Sequence, residues 1–172
     1  WLADNGVDTS GVRVSATLAS PRFTVTTDRA QNQIGSFYPG AMAEAADIAL
    51  DDVEVDLVLV SPNDPGAMLR HTQECRDRGV PFAADPSQTL TFLDGEAIRS
   101  LVTGATYLFT NEYEAGLVHA KTGWSDADVL ELVQTRVTTH GAKGVVVQRR
   151  GEPDLHVGVV PAEVVADPTG VG

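Results

Sequence analysis

From residue 56 onward, short apolar runs alternate with segments of helical periodicity, and this rhythm leaves few architectures open. Asp56-Leu57-Val58-Leu59-Val60, Pro81-Phe82-Ala83-Ala84, Ala105-Thr106-Tyr107-Leu108-Phe109 and Arg136-Val137-Thr138-Thr139 read as strands. An amphipathic helix is predicted from Pro65 to about Arg78, stopped by Gly79, and a second over 94–102. Two more open at Asn111 and at Ser125-Asp126-Ala127-Asp128, the latter a capping-box pattern. Strands separated by helices must lie parallel, because each helix carries the chain back across the sheet. The run 144–148 followed by Asp154-Leu155-His156-Val157-Gly158-Val159-Val160 reads instead as a hairpin. The fold class is therefore α/β, with a mainly parallel central sheet.

A different rhythm precedes it. Arg22-Phe23-Thr24-Val25-Thr26-Thr27-Asp28 and Gln33-Ile34-Gly35-Ser36-Phe37-Tyr38 alternate polar and apolar residues around a polar turn. Two extended strands with one packed or ligand-facing side fit this pattern, as a small lid beside the core at 53–172.

In open α/β sheets ligands bind outside the carboxyl ends of the strands. Four polar runs fall there: Asn63-Asp64, Asp85-Pro86-Ser87-Gln88, Asn111-Glu112-Tyr113-Glu114, and Thr139-His140-Gly141-Ala142-Lys143-Gly144. Asn111 and Glu114 stand three apart on a helix, so both face one side. They serve either as a reciprocal cap or as oxygen ligands to a hydrated Mg²⁺. The chain ends in Asp167-Pro168-Thr169-Gly170-Val171-Gly172, where glycines allow close backbone approach and consecutive amides can cradle an anion. An ordinary strand-to-helix linker is the alternative.

Composition narrows the partners. Twelve Lys and Arg against 24 Asp and Glu give a net charge of −12 over 172 residues, which argues against nucleic acid, since that surface demands clustered positive charge. A phosphorylated small molecule remains compatible, because amides and a divalent cation neutralise it locally. Apolar runs are far shorter than a bilayer span, so no membrane partner is expected and a cytoplasmic location is. The single Cys75 has no disulfide partner and reads as helix packing. His71, His119 and His156 stand at isolated positions without metal spacing, and the Asp51-Asp52 pair reads as a solvated helix terminus.

Together, the Asn111-Glu112-Tyr113-Glu114 motif, the 139–144 turn and the terminal glycine run, in this order, resemble the ribokinase-like (PfkB) small-molecule kinases. The likeness spans the whole chain. The paired strands with Ser36-Phe37-Tyr38-Pro39-Gly40-Ala41-Met42, and Ala84-Asp85-Pro86-Ser87-Gln88, are most similar to the adenosine-phosphorylating branch. The resemblance implies a three-layer sandwich with a β-lid and ATP-dependent transfer of a phosphoryl group to the 5′-hydroxyl of adenosine, in purine salvage. A sugar acceptor, or a non-catalytic nucleotide-binding module, is the rival.

The resemblance also implies roles. Asn111 and Glu114 organise Mg²⁺ through water, and Thr139, Gly141 and Gly144 bind ATP. Gly170, Val171 and Gly172 form the anion hole for the transferring group, and Phe23, Phe37 and Gln88 contact the nucleoside. A homodimer through the lid strands is the family expectation. In that family an Asp follows the last glycine as general base, and an N-terminal part supplies further substrate contacts. The chain therefore reads as a piece cut at both ends, expected to be inactive alone.

Overall fold

The computed structural model describes residues 1–28, 33–50 and 54–161, with Gln33 described by its backbone alone. Its coordinates form two compact units, Trp1–Ala45 and Ala46–Gly172. In the first, strands β1 (Arg22–Thr27) and β2 (Gln33–Tyr38) pair antiparallel, with Phe23 directly opposite Phe37. Gly6, at φ 76°, closes a short 3-10 turn, Ala3–Asn5, by donating its amide to the Ala3 carbonyl.

The second unit is a six-stranded sheet in sequential order: β3 (Val58–Val60), β4 (Phe82–Ala84), β5 (Tyr107–Asn111), β6 (Thr135–Thr139), β7 (Val145–Gln148) and β8 (Leu155–Val157). The first four are parallel, and β7 and β8 return antiparallel as the expected hairpin. Helices α1 (Pro65–Arg78), α2 (Gly95–Val102), α3 (Glu112–Thr122) and α4 (Asp126–Leu132) make the crossovers. Each start carries a local signal. Asp64, Asp94, Asn111 and Ser125 accept an amide from the first turn of α1, α2, α3 and α4 respectively, satisfying a donor that the helix cannot. Gly79 and Gly123 end α1 and α3 in the left-handed conformation.

α1 packs on α2 and α2 on α3, and the core lies between them and one sheet face, centred on Met68, Phe82, Ile98, Leu101, Leu108 and Val118. Cys75 is buried in this cluster, as its helical position predicted. On β5, Leu108 and Thr110 are buried, whereas Tyr107 and Phe109 point to the opposite face and stack at 6.2 Å.

β5 begins two residues later than its apolar run suggests. The amide of Ala105 is taken by the Val102 carbonyl at the end of α2, so Ala105 belongs to the turn. The delay carries Asn111 into the last position of the strand and makes it at once strand end and helix cap. Among the described residues no helix is long and apolar enough to cross a membrane.

Candidate functional site

Three of the four polar runs meet at the carboxyl edge of β4, β5 and β6, and strand register is what brings them together. Asn111 and Thr139 are lateral partners at the ends of β5 and β6. Adjacent strands lie about 4.8 Å apart, so a short, fixed distance separates residues far apart in the chain. The fourth run has a structural use: Asp64 caps α1, and the Asn63 side chain accepts the Asp64 amide.

Asn111 and Glu114 form a reciprocal capping box. The Glu114 amide donates to Asn111 Oδ1 and the Asn111 amide donates to Glu114 Oε2, both at 2.8 Å. This fixes both side chains at the head of α3, with Glu114 buried. A carboxylate has about four lone-pair sites, so one capping bond does not exhaust it.

Asp85, the first residue after β4, lies near enough to interact with it. Burial, and then the Glu114 carboxylate, push the Asp85 carboxyl above its ordinary value of 3.8. Two carboxylates close enough to repel in a part-buried site favour a cation nearby. Mg²⁺ takes oxygen ligands, keeps several waters and commonly uses one or two carboxylates plus substrate phosphates, which fits this donor set.

The coupling of Asp85 to Glu114 affects stability with a definite sign. A carboxyl whose value is raised on folding binds its proton more tightly in the native state. Stability therefore falls as pH rises from 3.8 through the raised value, and the cost is fully present above it. Asp85→Asn is expected to raise the melting temperature at pH 7, with the gain fading toward pH 3.8; an unchanged or lower melting temperature at pH 7 would contradict it.

The turn after β6 is shaped by its glycines. Gly144 sits at φ 93°, ψ −141°, a conformation that other residues avoid, and a Cβ there would collide with the Val157 carbonyl oxygen of β8. The amide of His140 donates to the Gly144 carbonyl at 2.8 Å, closing the turn, and Gly141 is also left-handed. Gly144→Ala is expected to cost about 1–3 kcal/mol from backbone strain alone, read as a lower denaturant midpoint.

The turn is tied to α3. His140 Nδ1 lies 2.8 Å from Glu112 Oε1, and this hydrogen bond, with smaller electrostatic contributions from His140 and then Lys143, holds the Glu112 carboxyl below its usual range. The 139–144 turn and the head of α3 are thus in direct contact.

The histidines are less isolated than their spacing suggested. His119, His140 and His156 line one groove of about 450 Å³, together with Glu112, Asp126 and Arg136. Arg136, buried on β6, bonds Asp126 at the start of α4, and His119 Nε2 lies 3.1 Å from the same carboxylate. No spacing rule marked this convergence, because it arises from three separate elements. Among the described residues, no three His, Cys, Asp or Glu side chains are arranged to hold a metal ion directly.

Gln88 lies in a 3-10 turn, Ser87–Thr91, immediately beyond Asp85, and is exposed. Ser87 is the one non-glycine residue with positive φ, 43°, among those described. In the first unit Phe23 and Phe37 are cross-strand neighbours, each about half exposed (55% and 53%), and the Phe23 ring covers the bare backbone of Gly35. Both rings therefore lie on one face of the pair and are open to solvent. Gly170, Val171 and Gly172 lie outside the described residues.

Comparison with known proteins places these features in a family. The model of the pfkB family carbohydrate kinases matches residues 1–172. A nucleoside kinase of Burkholderia thailandensis solved in complex with inosine superposes with a TM-score of 0.93 at 36% identity, covering 98% of this chain and 57% of that one. Its ADP-inosine complex gives 0.91, also at 36%, over 98% and 53%. A nucleoside kinase of Methanocaldococcus jannaschii is 24% identical over all 172 residues, which is 56% of its own length. The chain thus spans little more than half the length of these relatives.

Proposed function

Because the chain belongs to the pfkB family of carbohydrate kinases, we propose that the protein carrying it transfers the γ-phosphoryl group of ATP to the 5′-hydroxyl of a purine nucleoside. Adenosine is the acceptor we put first, giving AMP and ADP, with inosine beside it. The observation that carries this reading is the shared carboxyl edge, where Asp85, Asn111 and Thr139 stand at adjacent strand ends and Glu114 at the head of α3, in a fold that, in the Burkholderia protein, is seen in complex with inosine and ADP-inosine.

In this reading the 139–144 turn receives the nucleotide. Thr139 offers its hydroxyl, and Gly141 and Gly144 let the backbone approach closely. Glu114, Asn111 and Asp85 hold Mg²⁺, largely through waters. The ion, when bound, neutralises charge on the phosphate oxygens during transfer. The role of an anion hole for the transferring group is assigned to Gly170, Val171 and Gly172. Phe23 and Phe37 cover the base, and Gln88 supplies a polar contact to the nucleoside. In phosphoryl transfer positioning and electrostatics do most of the work, so a rigid edge of this kind is the part that a protein must build. A homodimer formed through the lid strands, and a cytoplasmic site of action, complete the proposal.

The test is ATP-dependent phosphorylation by the full-length gene product, with adenosine, inosine, ribose and fructose offered in competition. The account expects nucleosides to win, with kcat/KM for adenosine at least tenfold above either sugar. Preference for a sugar would discard the roles of Phe23 and Phe37 and keep the chemistry. Absence of turnover with every acceptor would leave nucleotide binding without catalysis.

A further inference from the structure

Lys121 ends α3 in an arrangement that the chemistry above does not use. Its ammonium donates to three backbone carbonyls, Leu90 at 2.7 Å, Thr91 at 2.9 Å and Leu93 at 2.7 Å. These oxygens belong to the close of the Ser87–Thr91 turn and to the lead into α2. An ammonium has three donors and no acceptor, so here its whole hydrogen-bonding capacity is spent on one loop.

The packing beside it is equally close. Gly95, at the start of α2, has no room for a Cβ because the Lys121 carbonyl oxygen occupies that space, and Arg99 of α2 donates to the Thr122 carbonyl. The far end of α3 is therefore locked to 90–95. Its near end carries Asn111 and Glu114. An α-helix of 11 residues is a rod of about 16 Å, with little give along its axis. One rigid element joins the capping box to the loop that bears Asp85, the strained Ser87 and the exposed Gln88.

We infer that Lys121 is a positioning residue, a clamp that holds the 85–93 loop in register with the head of α3 and so sets the placement of the acceptor subsite relative to the metal and nucleotide subsites. The inference rests on the acceptor role given to Gln88 above. Lys121 itself touches no reacting group. Its loss should free the loop without disturbing the Asn111-Glu114 box, which has its own hydrogen bonds.

The full-length gene product would be compared with its Lys121→Met and Lys121→Arg variants. With Lys121→Met, KM for the nucleoside is expected to rise about 5–20-fold while KM for ATP stays within about twofold. Backbone amide exchange should quicken over 87–93 and stay unchanged over 111–114. Lys121→Arg, which can still donate to several carbonyls, should recover most of the lost acceptor affinity. A uniform fall in thermal stability with both KM values unchanged, or with both raised alike, would overturn the clamp and leave Lys121 a purely structural residue. Should the wild type phosphorylate no nucleoside, the acceptor reading fails separately, and the exchange measurement decides the clamp: faster exchange confined to 87–93 supports it, and unchanged exchange removes it.

Discussion

Glu114→Gln is expected to raise the Mg²⁺ concentration needed for half-maximal turnover by about 10–100-fold, while α3 keeps its start. The substitution separates two uses of one side chain. A glutamine oxygen can accept the Asn111 amide as Glu114 Oε2 does at 2.8 Å, because Glu and Gln serve equally at the third position of a capping box. What glutamine cannot supply is the negative charge that Asp85 senses. A titration of rate against Mg²⁺, run beside thermal unfolding, reads both effects. Unchanged Mg²⁺ dependence would reduce Glu114 to a helix cap. Glu114→Ala removes cap and charge together, and should add a stability loss of about 1 kcal/mol to the same metal defect.

Phe82→Ala is expected to cost about 3–5 kcal/mol of folding stability. Phe82 is 2% exposed and sits on β4 opposite Val58, under the guanidinium of Arg76 at 5.9 Å from the ring centre. Few side chains can move to fill the space, because β3 and β5 bound the strand on both sides. A loss of this size is a large share of the 5–15 kcal/mol typical of a native protein. Chemical denaturation of the full-length gene product measures it directly. β4 also leads straight into Asp85, so metal affinity should weaken in the folded remainder. A midpoint shift corresponding to under about 1.5 kcal/mol would mean that the core repacks around the gap.

How much of this was legible in the chain depends on how local the cause is. The α/β alternation and the four helix starts rest on contacts within three or four residues, and Asp64, Asp94, Asn111 and Ser125 cap where their patterns say they should. Strands β1 and β2 were legible for the same reason: alternation at Phe23 and Phe37 reports a two-residue period, and the register sets those residues opposite each other. Boundaries were less secure. Ala105 and Thr106 have strand-like side chains, yet the Ala105 amide is used by the turn out of α2, a competition that no side-chain pattern records.

The site was legible as parts and not as a whole. Asn111 and Glu114 announce themselves by spacing, but spacing alone left cap and ligand undivided, and the structure shows the cap while adding the electrostatic coupling of Glu114 to Asp85. That pairing, the contact of His140 with Glu112, and the reach of Lys121 to Leu90, Thr91 and Leu93 all cross between elements. They depend on strand order and register, which a single chain specifies only through its folded core. The convergence of His119, His140 and His156 belongs to the same class.

The most direct test of the central claim is to locate a paramagnetic nucleotide. Mn²⁺·ADP added to the isotope-labelled full-length gene product broadens amide resonances near the ion, and it needs no assumption about the acceptor. Broadening is expected to be strongest at Asp85, at 111–114 and at 139–144, and weakest at Gly79, Gly104 and Gly151 on the opposite edge of the sheet. Broadening centred elsewhere, with those three segments sharp, would contradict the assignment of this sheet edge as the metal–nucleotide site.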